Sequence, residues 1–161
     1  MSNKPLVIEA KIADDVIFGK NVKIVMPSNL YGCEIGDNCF IGPFVEIQKG
    51  VKIGNNTKIE SHSFVCEKIT MGNNCFVGHG VVFINDTFSE LERPAYTEKE
   101  LWKNTNIGNN VTIGSNATIL PVNICDRVII GAGAVVTKNI DKPGVYAGVP
   151  ARYLRALKDK N

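Results

Sequence analysis

Apolar residues recur at every sixth position through the central part of the chain. The series is Ile35, Ile41, Ile47, Ile53, Ile59, Val65, Met71, Val77 and Phe83. A small or β-branched residue stands two positions before each, in the series Cys33, Cys39, Val45, Val51, Thr57, Ser63, Ile69, Cys75 and Val81. Alternate residues of a strand point to the same face, so each pair predicts a short strand whose two members face inward. Neither a helix of about 3.6 residues per turn nor an ordinary strand has a period of six.

The residues between these pairs are mostly polar or glycine, and they suit turns that need a positive φ. Each group of six residues is therefore one strand plus one corner. Three such groups make a triangular coil of about 18 residues, and stacked coils pair as parallel strands. The sequence predicts an all-β protein, a parallel β-helix of hexapeptide repeats with about six triangular coils.

The repeat extends on both sides of this central part. Its other positions are Ile12, Phe18, Ile24 and Leu30 before Ile35, and Ile107, Ile113, Ile119, Ile124, Ile130 and Val136 after Phe83. The steps from Leu30 to Ile35 and from Ile119 to Ile124 are five residues long, so we expect one shortened corner at each point. We predict a single domain over residues 1–161, with coils at about 8–85 and 105–142.

Two segments depart from the repeat. Residues 86–104 form an inserted loop with several aromatic residues and Arg93. Insertions in repeat proteins often lie on the binding face, so we interpret the loop as an arm over a site or a neighbouring subunit, with a plain solvated loop as the alternative. Residues 151–159 are predicted to form a short C-terminal cap helix, with Pro150 at its start and an apolar stripe containing Tyr153 and Leu154.

Composition narrows the function classes. The formal net charge of +2 gives no support for nucleic-acid binding. No apolar run approaches the roughly 18 residues of a membrane span, and Met1 to Pro5 lack a signal-peptide core. The five cysteines include Cys33, Cys39 and Cys75 at inward positions, and none has zinc-ligand spacing. We expect small, reduced core residues, no bound metal and a cytoplasmic location.

Two motifs near the C-terminus identify a family resemblance. The run IGAGAVVTK at residues 130–138 and the run AGVPAR at residues 147–152 resemble the C-terminal signature of hexapeptide-repeat acyltransferases. The resemblance covers nearly the whole chain. It implies a left-handed β-helix, a homotrimer and acetyl-CoA or a related thioester as the acyl donor.

A narrower resemblance involves VGHGVVFIND at residues 77–86 and GSNATI at residues 114–119. These motifs look like the N-acetyltransferases that act on nucleotide-linked 3-amino sugars, such as UDP-2-acetamido-3-amino-2,3-dideoxyglucuronate and dTDP-3-amino-3,6-dideoxyhexoses. The resemblance implies an acceptor of this kind, linked to UDP or dTDP, in bacterial surface-polysaccharide biosynthesis such as that of lipopolysaccharide. It also places Asn85 in the active site.

The coil spacing brings candidate catalytic residues together. Lys49, Glu67 and Asn85 are each 18 residues apart and share one edge of the predicted prism. Glu67 and Asn85 could hold and orient an amine, with Glu67 accepting its proton, whereas the alternative is a column of solvated corner residues. Lys49 and Asn85, with Asp86 and Arg93 of the loop, are the candidate substrate-binding residues.

His79 is a third candidate catalytic residue. It has the same corner phase but lies one face earlier, where a neighbouring prism could bring it near Asn85. Many hexapeptide acyltransferases use a histidine as the base, and a surface corner histidine is the alternative.

The resemblance also implies a site for coenzyme A in the groove between adjacent prisms. Small residues permit close approach of the pantetheine arm, and cations suit its phosphates. The candidate cofactor-binding residues are Gly114, Ser115, Ala132, Gly133, Lys138 and Arg152.

Other functions remain open for a β-helix of this kind. A γ-class carbonic anhydrase needs three histidines, whereas this chain has only His62 and His79. An O-acetyltransferase acting on serine or a sugar hydroxyl would need one of these histidines as a base. A non-catalytic scaffold would need neither the aromatic loop nor the AGVPAR run.

Overall fold

The computed structural model describes residues 8–87 and 99–158. Within those ranges the chain consists of short strands joined by tight corners, and its helical content is one 3₁₀ turn at Lys99–Leu101. The strands are, in chain order, β1 (Ile17–Phe18), β2 (Lys23–Ile24), β3 (Asn29–Leu30), β4 (Glu34–Ile35), β5 (Phe40–Ile41), β6 (Glu46–Ile47), β7 (Lys52–Ile53), β8 (Lys58–Ile59), β9 (Phe64–Val65), β10 (Ile69–Met71), β11 (Phe76–Val77), β12 (Val82–Phe83), β13 (Thr105–Ile107), β14 (Thr112–Ile113), β15 (Thr118–Ile119), β16 (Asn123–Ile124), β17 (Val128–Ile130), β18 (Val135–Val136), β19 (Gly144–Ala147) and β20 (Arg152–Arg155).

Every third strand joins the same sheet, and the three sheets are the faces of a triangular prism. Their orders are β1-β4-β7-β10-β13-β16, β2-β5-β8-β11-β14-β17-β19-β20 and β3-β6-β9-β12-β15-β18. Neighbouring strands are parallel, except for the antiparallel pair of β19 and β20. The predicted parallel β-helix of about six triangular coils is confirmed.

The two shortened corners are also confirmed. Most partners in neighbouring coils are 18 residues apart, as Ile35 and Ile53 are. Phe18 instead pairs with Ile35, and Ile107 pairs with Ile124, so the spacing is 17 residues at both places. These are the coils that contain the five-residue steps of the apolar pattern.

The core is a column of inward side chains between the three sheets. Ile41 and Phe83 have 0% exposure, and the inward Cys39 and Cys75 are 2% and 4% exposed. The Sγ atoms of both cysteines donate to carbonyl oxygens of the next coil at 3.2 Å. Small polarisable residues therefore fill the core next to backbone carbonyl groups, as the sequence predicts.

Equivalent corner residues stack coil on coil, so each edge of the prism has its own chemistry. We name three stacks: the asparagine corner (Asp37, Asn55, Asn73, Asn109 and Asp126), the histidine corner (Pro43, Ser61, His79, Ser115 and Ala132) and the glutamate corner (Lys49, Glu67 and Asn85). In the asparagine corner, each side-chain Oδ1 accepts a hydrogen bond from the backbone N–H one coil earlier, at 2.7–2.8 Å. These side chains are occupied in pairing the backbone N–H groups of the turns. The other two corners are therefore the candidates for a functional site.

The chain leaves the coils after Asn85 and returns to them at β13. The two ends of the insertion meet, because the backbone N–H of Lys103 donates to the carbonyl oxygen of Asn85 at 2.8 Å. Residues 88–98 lie outside the described residues, and the candidate Arg93 is among them.

The C-terminal segment forms a strand, so the predicted cap helix over 151–159 is wrong. β20 runs antiparallel to β19, and Tyr153 packs edge to face on Tyr146 with ring centroids 5.4 Å apart. Without β20, the outer edge of β19 would leave a row of backbone N–H and C=O groups unpaired. The chain turns at Gly148, which has a φ of 96°, and covers that edge, while Leu154 remains 61% exposed.

Among the described residues, the structure contains no helix with the length and apolarity that a membrane span requires.

Candidate functional site

The glutamate corner brings Glu67 and Asn85 into contact. The Asn85 side-chain Nδ2 donates to the backbone carbonyl of Glu67 at 3.2 Å, across one coil. Asn85 is only 9% exposed, whereas Lys49, one coil on the other side of Glu67, is exposed. The stack that the spacing predicts is therefore present, with a fixed amide above a carboxylate residue and an exposed cation below it.

Glu67 is held by groups from two parts of the chain. Its backbone N–H donates to Oε1 of Gln48 at 3.2 Å. Its carboxylate forms an ion pair with the ammonium of Lys99, which belongs to the inserted segment. The Glu67 side chain is 18% exposed, while that of Lys99 is 60% exposed. The carboxylate is thus mostly covered and already holds a primary ammonium.

A neighbouring lysine fixes the inserted segment next to Glu67. The Lys68 ammonium donates to the backbone carbonyl oxygens of Lys99 at 3.1 Å and Trp102 at 2.9 Å. The Lys99 ammonium also lies 5.1 Å from the centroid of the Trp102 ring, which is within cation–π range. These contacts place the Trp102 ring and the ammonium groups of Lys68 and Lys99 next to Glu67.

An open groove runs along this corner. Its volume is about 410 Å³, and it is lined by Lys49, Gly50, Glu67, Lys68, Thr70, Asn104 and Asn106. Asp86, another predicted substrate-binding residue, is 8% exposed and is not among the lining residues. The groove therefore unites two of the predicted residues, Lys49 and Glu67, with polar side chains from the coil above.

A tyrosine extends the polar surface below the groove. Burial raises the pKa of Tyr31, the carboxylates of Glu46 and Glu67 raise it further, and a hydrogen bond with Gln48 acts in the opposite direction. Nε2 of Gln48 also donates to Oε1 of Glu46 at 2.8 Å. Tyr31 stays a neutral phenol in this acidic surrounding, able to donate or accept a hydrogen bond.

Several of these residues were missed in the sequence. Gln48 and Lys68 are each adjacent in sequence to a residue of the glutamate corner, so their positions within the 18-residue coil could have identified them. Lys99 and Trp102 come from the segment without a repeat, and no periodic signal points to them.

His79 lies on a different edge of the prism. Its Nδ1 is 2.8 Å from Oγ of Ser61, and its backbone N–H donates to Oγ of Ser115 at 3.2 Å. The imidazole is exposed at the histidine corner, whereas Asn85 belongs to the glutamate corner. Within one chain, the structure does not bring His79 and Asn85 together.

The candidate cofactor-binding residues separate into two groups. Gly114, Ser115, Ala132 and Gly133 stack at the histidine corner. A Cβ added to Gly114 would lie 2.4 Å from the backbone nitrogen of Ala132, so coil packing alone requires this glycine. At Gly133, which has a φ of 67°, nothing lies within 4 Å of an added Cβ, so its backbone is open to a ligand.

Lys138 and Arg152 form the second group. Both line a small cleft of about 280 Å³ at the C-terminal end of the prism, together with Asn139 and Tyr153. This cleft brings the two cations together, but it does not include any residue of the Gly114 group.

The cysteines are poor candidates for a nucleophile. Burial raises the pKa of Cys66 to about 12 and that of Cys33 to about 11. Cys125, which is partly exposed, also has a raised pKa, chiefly from desolvation. A thiol with a raised pKa has little thiolate at neutral pH, and only the thiolate attacks a thioester. All five cysteines are free, and their chemistry fits structural roles.

Family models match the coils on both sides of the insertion. The bacterial transferase hexapeptide model (six repeats) matches residues 32–67 and 50–85, and the hexapeptide repeat of succinyl-transferase matches residues 104–138. Together these matches span more than half of the chain. The chain belongs to the bacterial hexapeptide-repeat transferases.

Two relatives are similar to this chain over most of its length. Bifunctional protein GlmU of Streptococcus uberis is 34% identical over 141 residues, which are 87% of this chain and 27% of GlmU. Galactoside O-acetyltransferase of Escherichia coli is 34% identical over 139 residues, which are 79% of this chain and 65% of that enzyme. The chain thus spans less than two thirds of either relative.

Among solved structures, a single-site mutant of AntD from Bacillus cereus matches with a TM-score of 0.78 and 26% identity. The match covers 88% of this chain and 83% of AntD. AntD is described as an N-acyltransferase, and its structure is a complex with dTDP and coenzyme A.

Proposed function

We propose that this protein is an acetyl-CoA-dependent N-acetyltransferase that acts on the amino group of a nucleotide-linked amino sugar, with a 3-amino sugar as the expected acceptor. The observation that carries this proposal is the glutamate corner, where the largely covered carboxylate of Glu67 binds a primary ammonium directly below the Asn85 amide. We place the reaction in bacterial surface-polysaccharide biosynthesis, such as that of lipopolysaccharide. The five free cysteines support a reducing, cytoplasmic location.

The AntD match supports N-acyl transfer as the reaction type and a nucleotide as part of the acceptor. AntD is an N-acyltransferase, and its structure is a complex with dTDP and coenzyme A. The match covers most of both chains. A nucleoside diphosphate would use the cations that line the groove here, Lys49 and Lys68, with Arg93 and Asp86 as further contacts from the insertion.

The chemistry is a direct transfer between two bound substrates. The sugar amine, after losing a proton to Glu67 or to water, attacks the thioester carbonyl carbon of acetyl-CoA. The C–N bond forms as the nitrogen gives up its second proton, the C–S bond breaks, and coenzyme A leaves as a thiolate that takes up a proton. Asn85 and Glu67 supply most of the effect by holding the amine in line, because positioning alone lowers such barriers substantially.

Acetyl-CoA would lie against the histidine corner. The open backbone at Gly133 fits close approach of a pantetheine arm, with Gly114, Ser115 and Ala132 along the same edge. Lys138 and Arg152 would meet the phosphates from the C-terminal cleft.

We propose a homotrimer, with acceptor and donor meeting between two subunits. The candidate acceptor residues and His79 occupy different edges of one prism, so they can act on one substrate only if two chains contribute. In that arrangement His79 of one subunit would serve as a base near Asn85 of the next.

An O-acetyltransferase is the second candidate function. Two observations favour it: the 34% identity to galactoside O-acetyltransferase, and the hydrogen-bonded pair of His79 and Ser61, in which Ser61 orients the imidazole. A hydroxyl needs stronger base assistance than a neutral amine, so His79 would be essential for this reaction.

Coenzyme A release from acetyl-CoA distinguishes these functions. We expect rapid release with one member of a panel of UDP- and dTDP-linked 3-amino and 4-amino sugars, and background release with the matched sugars that carry a hydroxyl in place of the amine. Turnover of the hydroxyl sugars but not the amino sugars would replace N-acetylation by O-acetylation. Acetyl-CoA binding without turnover of any member would contradict both.

A further inference from the structure

Lys99 occupies the position that the proposed function gives to the acceptor amine. Its ammonium pairs with the carboxylate of Glu67, which lies 32 residues earlier in the chain. With Lys99 in contact, the Glu67 side chain is 18% exposed, so little of it remains accessible to a second group. A second ammonium at the same oxygen, Oε1, would lie next to the Lys99 ammonium and be repelled by it.

An arriving amino sugar would carry the same chemical group. A protonated sugar amine and the lysine side chain are both primary ammonium ions, so exchange of one for the other leaves Glu67 paired. Loss of Lys99 without a replacement would leave a largely covered carboxylate unpaired, which is costly. The exchange is therefore favourable only for a ligand that delivers a cation to Glu67.

The surroundings allow the Lys99 side chain to leave while its backbone stays in place. Lys68 holds the carbonyl oxygens of Lys99 and Trp102 at 3.1 Å and 2.9 Å, and neither bond involves the Lys99 ammonium. The Trp102 ring, 5.1 Å from the ammonium, supplies a second surface for the displaced cation.

We propose that Lys99 is an internal competitor for the acceptor-ammonium site, and that binding of the sugar amine to Glu67 requires its displacement. This inference rests on the proposed function for the identity of the acceptor. Competition lowers the apparent affinity of the acceptor by the fraction of molecules in which Glu67 is available. It acts on ligands that reach Glu67, and it leaves a nucleotide without the amino sugar unaffected.

Calorimetric titration of the wild-type protein, Lys99→Met and Lys103→Met tests this inference. The probes are a UDP- or dTDP-linked 3-amino sugar and the corresponding free nucleoside diphosphate. Lys99→Met removes the ammonium and keeps an apolar stem. Lys103→Met is the matched control, because it removes an exposed ammonium from the same segment while the Lys103 contact with Asn85 is made by its backbone N–H.

We expect Lys99→Met to bind the amino sugar about two- to fivefold more tightly than the wild type, the range expected for one partly exposed ion pair. The free nucleoside diphosphate should bind all three proteins equally, and Lys103→Met should match the wild type with both probes. Unchanged or weaker binding of the amino sugar to Lys99→Met would overturn the inference, even if the enzyme turns that sugar over. Tighter binding without any coenzyme A release would keep the inference and reject the N-acetyltransferase function.

Discussion

Replacing Asn85 by alanine should lower the rate of coenzyme A release about 100-fold with the best amino sugar, because a misplaced reacting amine loses most of the advantage of positioning. The Asn85 amide is buried and aligned by its bond to the Glu67 carbonyl at 3.2 Å. The variant should remain folded, since loss of one such hydrogen bond costs about 0.5–1.5 kcal/mol. The backbone bond from Lys103 to the Asn85 carbonyl does not depend on the side chain and should persist.

Asn106→Ala is the matched control for this prediction. Asn106 lines the groove at the glutamate corner, whereas Asn85 is buried beside that groove and is not among its lining residues. The Asn106 side chain is exposed, and its Nδ2 donates to Oδ1 of Asn123 at 2.8 Å. We expect its rate of coenzyme A release to stay within about a factor of two of the wild type, as for a surface substitution away from the reacting atoms. Full activity of Asn85→Ala, or an equal loss in Asn106→Ala, would remove Asn85 from the site.

Phe83→Ala should cause a large loss of stability. Phe83, two residues before Asn85, has 0% exposure. It pairs with Ile119 in the neighbouring coil. Truncating a buried phenylalanine costs about 3–5 kcal/mol, because the lost contacts are not replaced and a cavity remains. At about 2–4 °C per kcal/mol for a chain of this size, the melting temperature should fall by about 6–20 °C.

Phe76→Ala is the corresponding control on the outer face. Phe76 is 36% exposed and pairs with Thr112 in the next coil. Its truncation should cost about 1 kcal/mol, the centre of the range for single substitutions. Thermal unfolding followed by circular dichroism measures both variants. A smaller shift for Phe83→Ala than for Phe76→Ala would contradict the assignment of the inward positions.

The coils could be predicted because the same six-residue pattern of inward apolar residues and turn residues recurs along the chain. Each group of six residues specifies its own strand and corner, and the next coil requires the same pattern, so local and long-range preferences agree. Even the irregularities were visible: the five-residue step at Leu30 predicts the 17-residue spacing between Phe18 and Ile35. The stack of Lys49, Glu67 and Asn85 follows from the same coil period.

The C-terminal strand could not be predicted from its own residues. A short segment such as Arg152–Arg155 with Leu157 fits a helical stripe as well as a strand, and periodicity alone does not decide between them. The deciding factor is the open edge of Gly144–Ala147, whose backbone groups need partners. That edge exists only in the folded prism.

The remaining part of the site depends on a segment without a repeat. Lys99 reaches Glu67 across 32 residues of sequence, and nothing in its local pattern indicates the contact. The predicted cofactor residues were grouped by resemblance, whereas in the structure the cleft that Lys138 and Arg152 line does not include Gly133. Contacts between distant, irregular segments are set by the whole fold.

A crystal structure with coenzyme A and the amino sugar of highest turnover would test the assignment of the acceptor site most directly. We predict that the sugar amine lies about 2.7–3.2 Å from the carboxylate of Glu67 or the side-chain amide of Asn85, the range of a hydrogen bond. The Lys99 ammonium should then be displaced from Glu67. A sugar amine bound away from both residues, with the pair of Lys99 and Glu67 intact, would contradict the assignment.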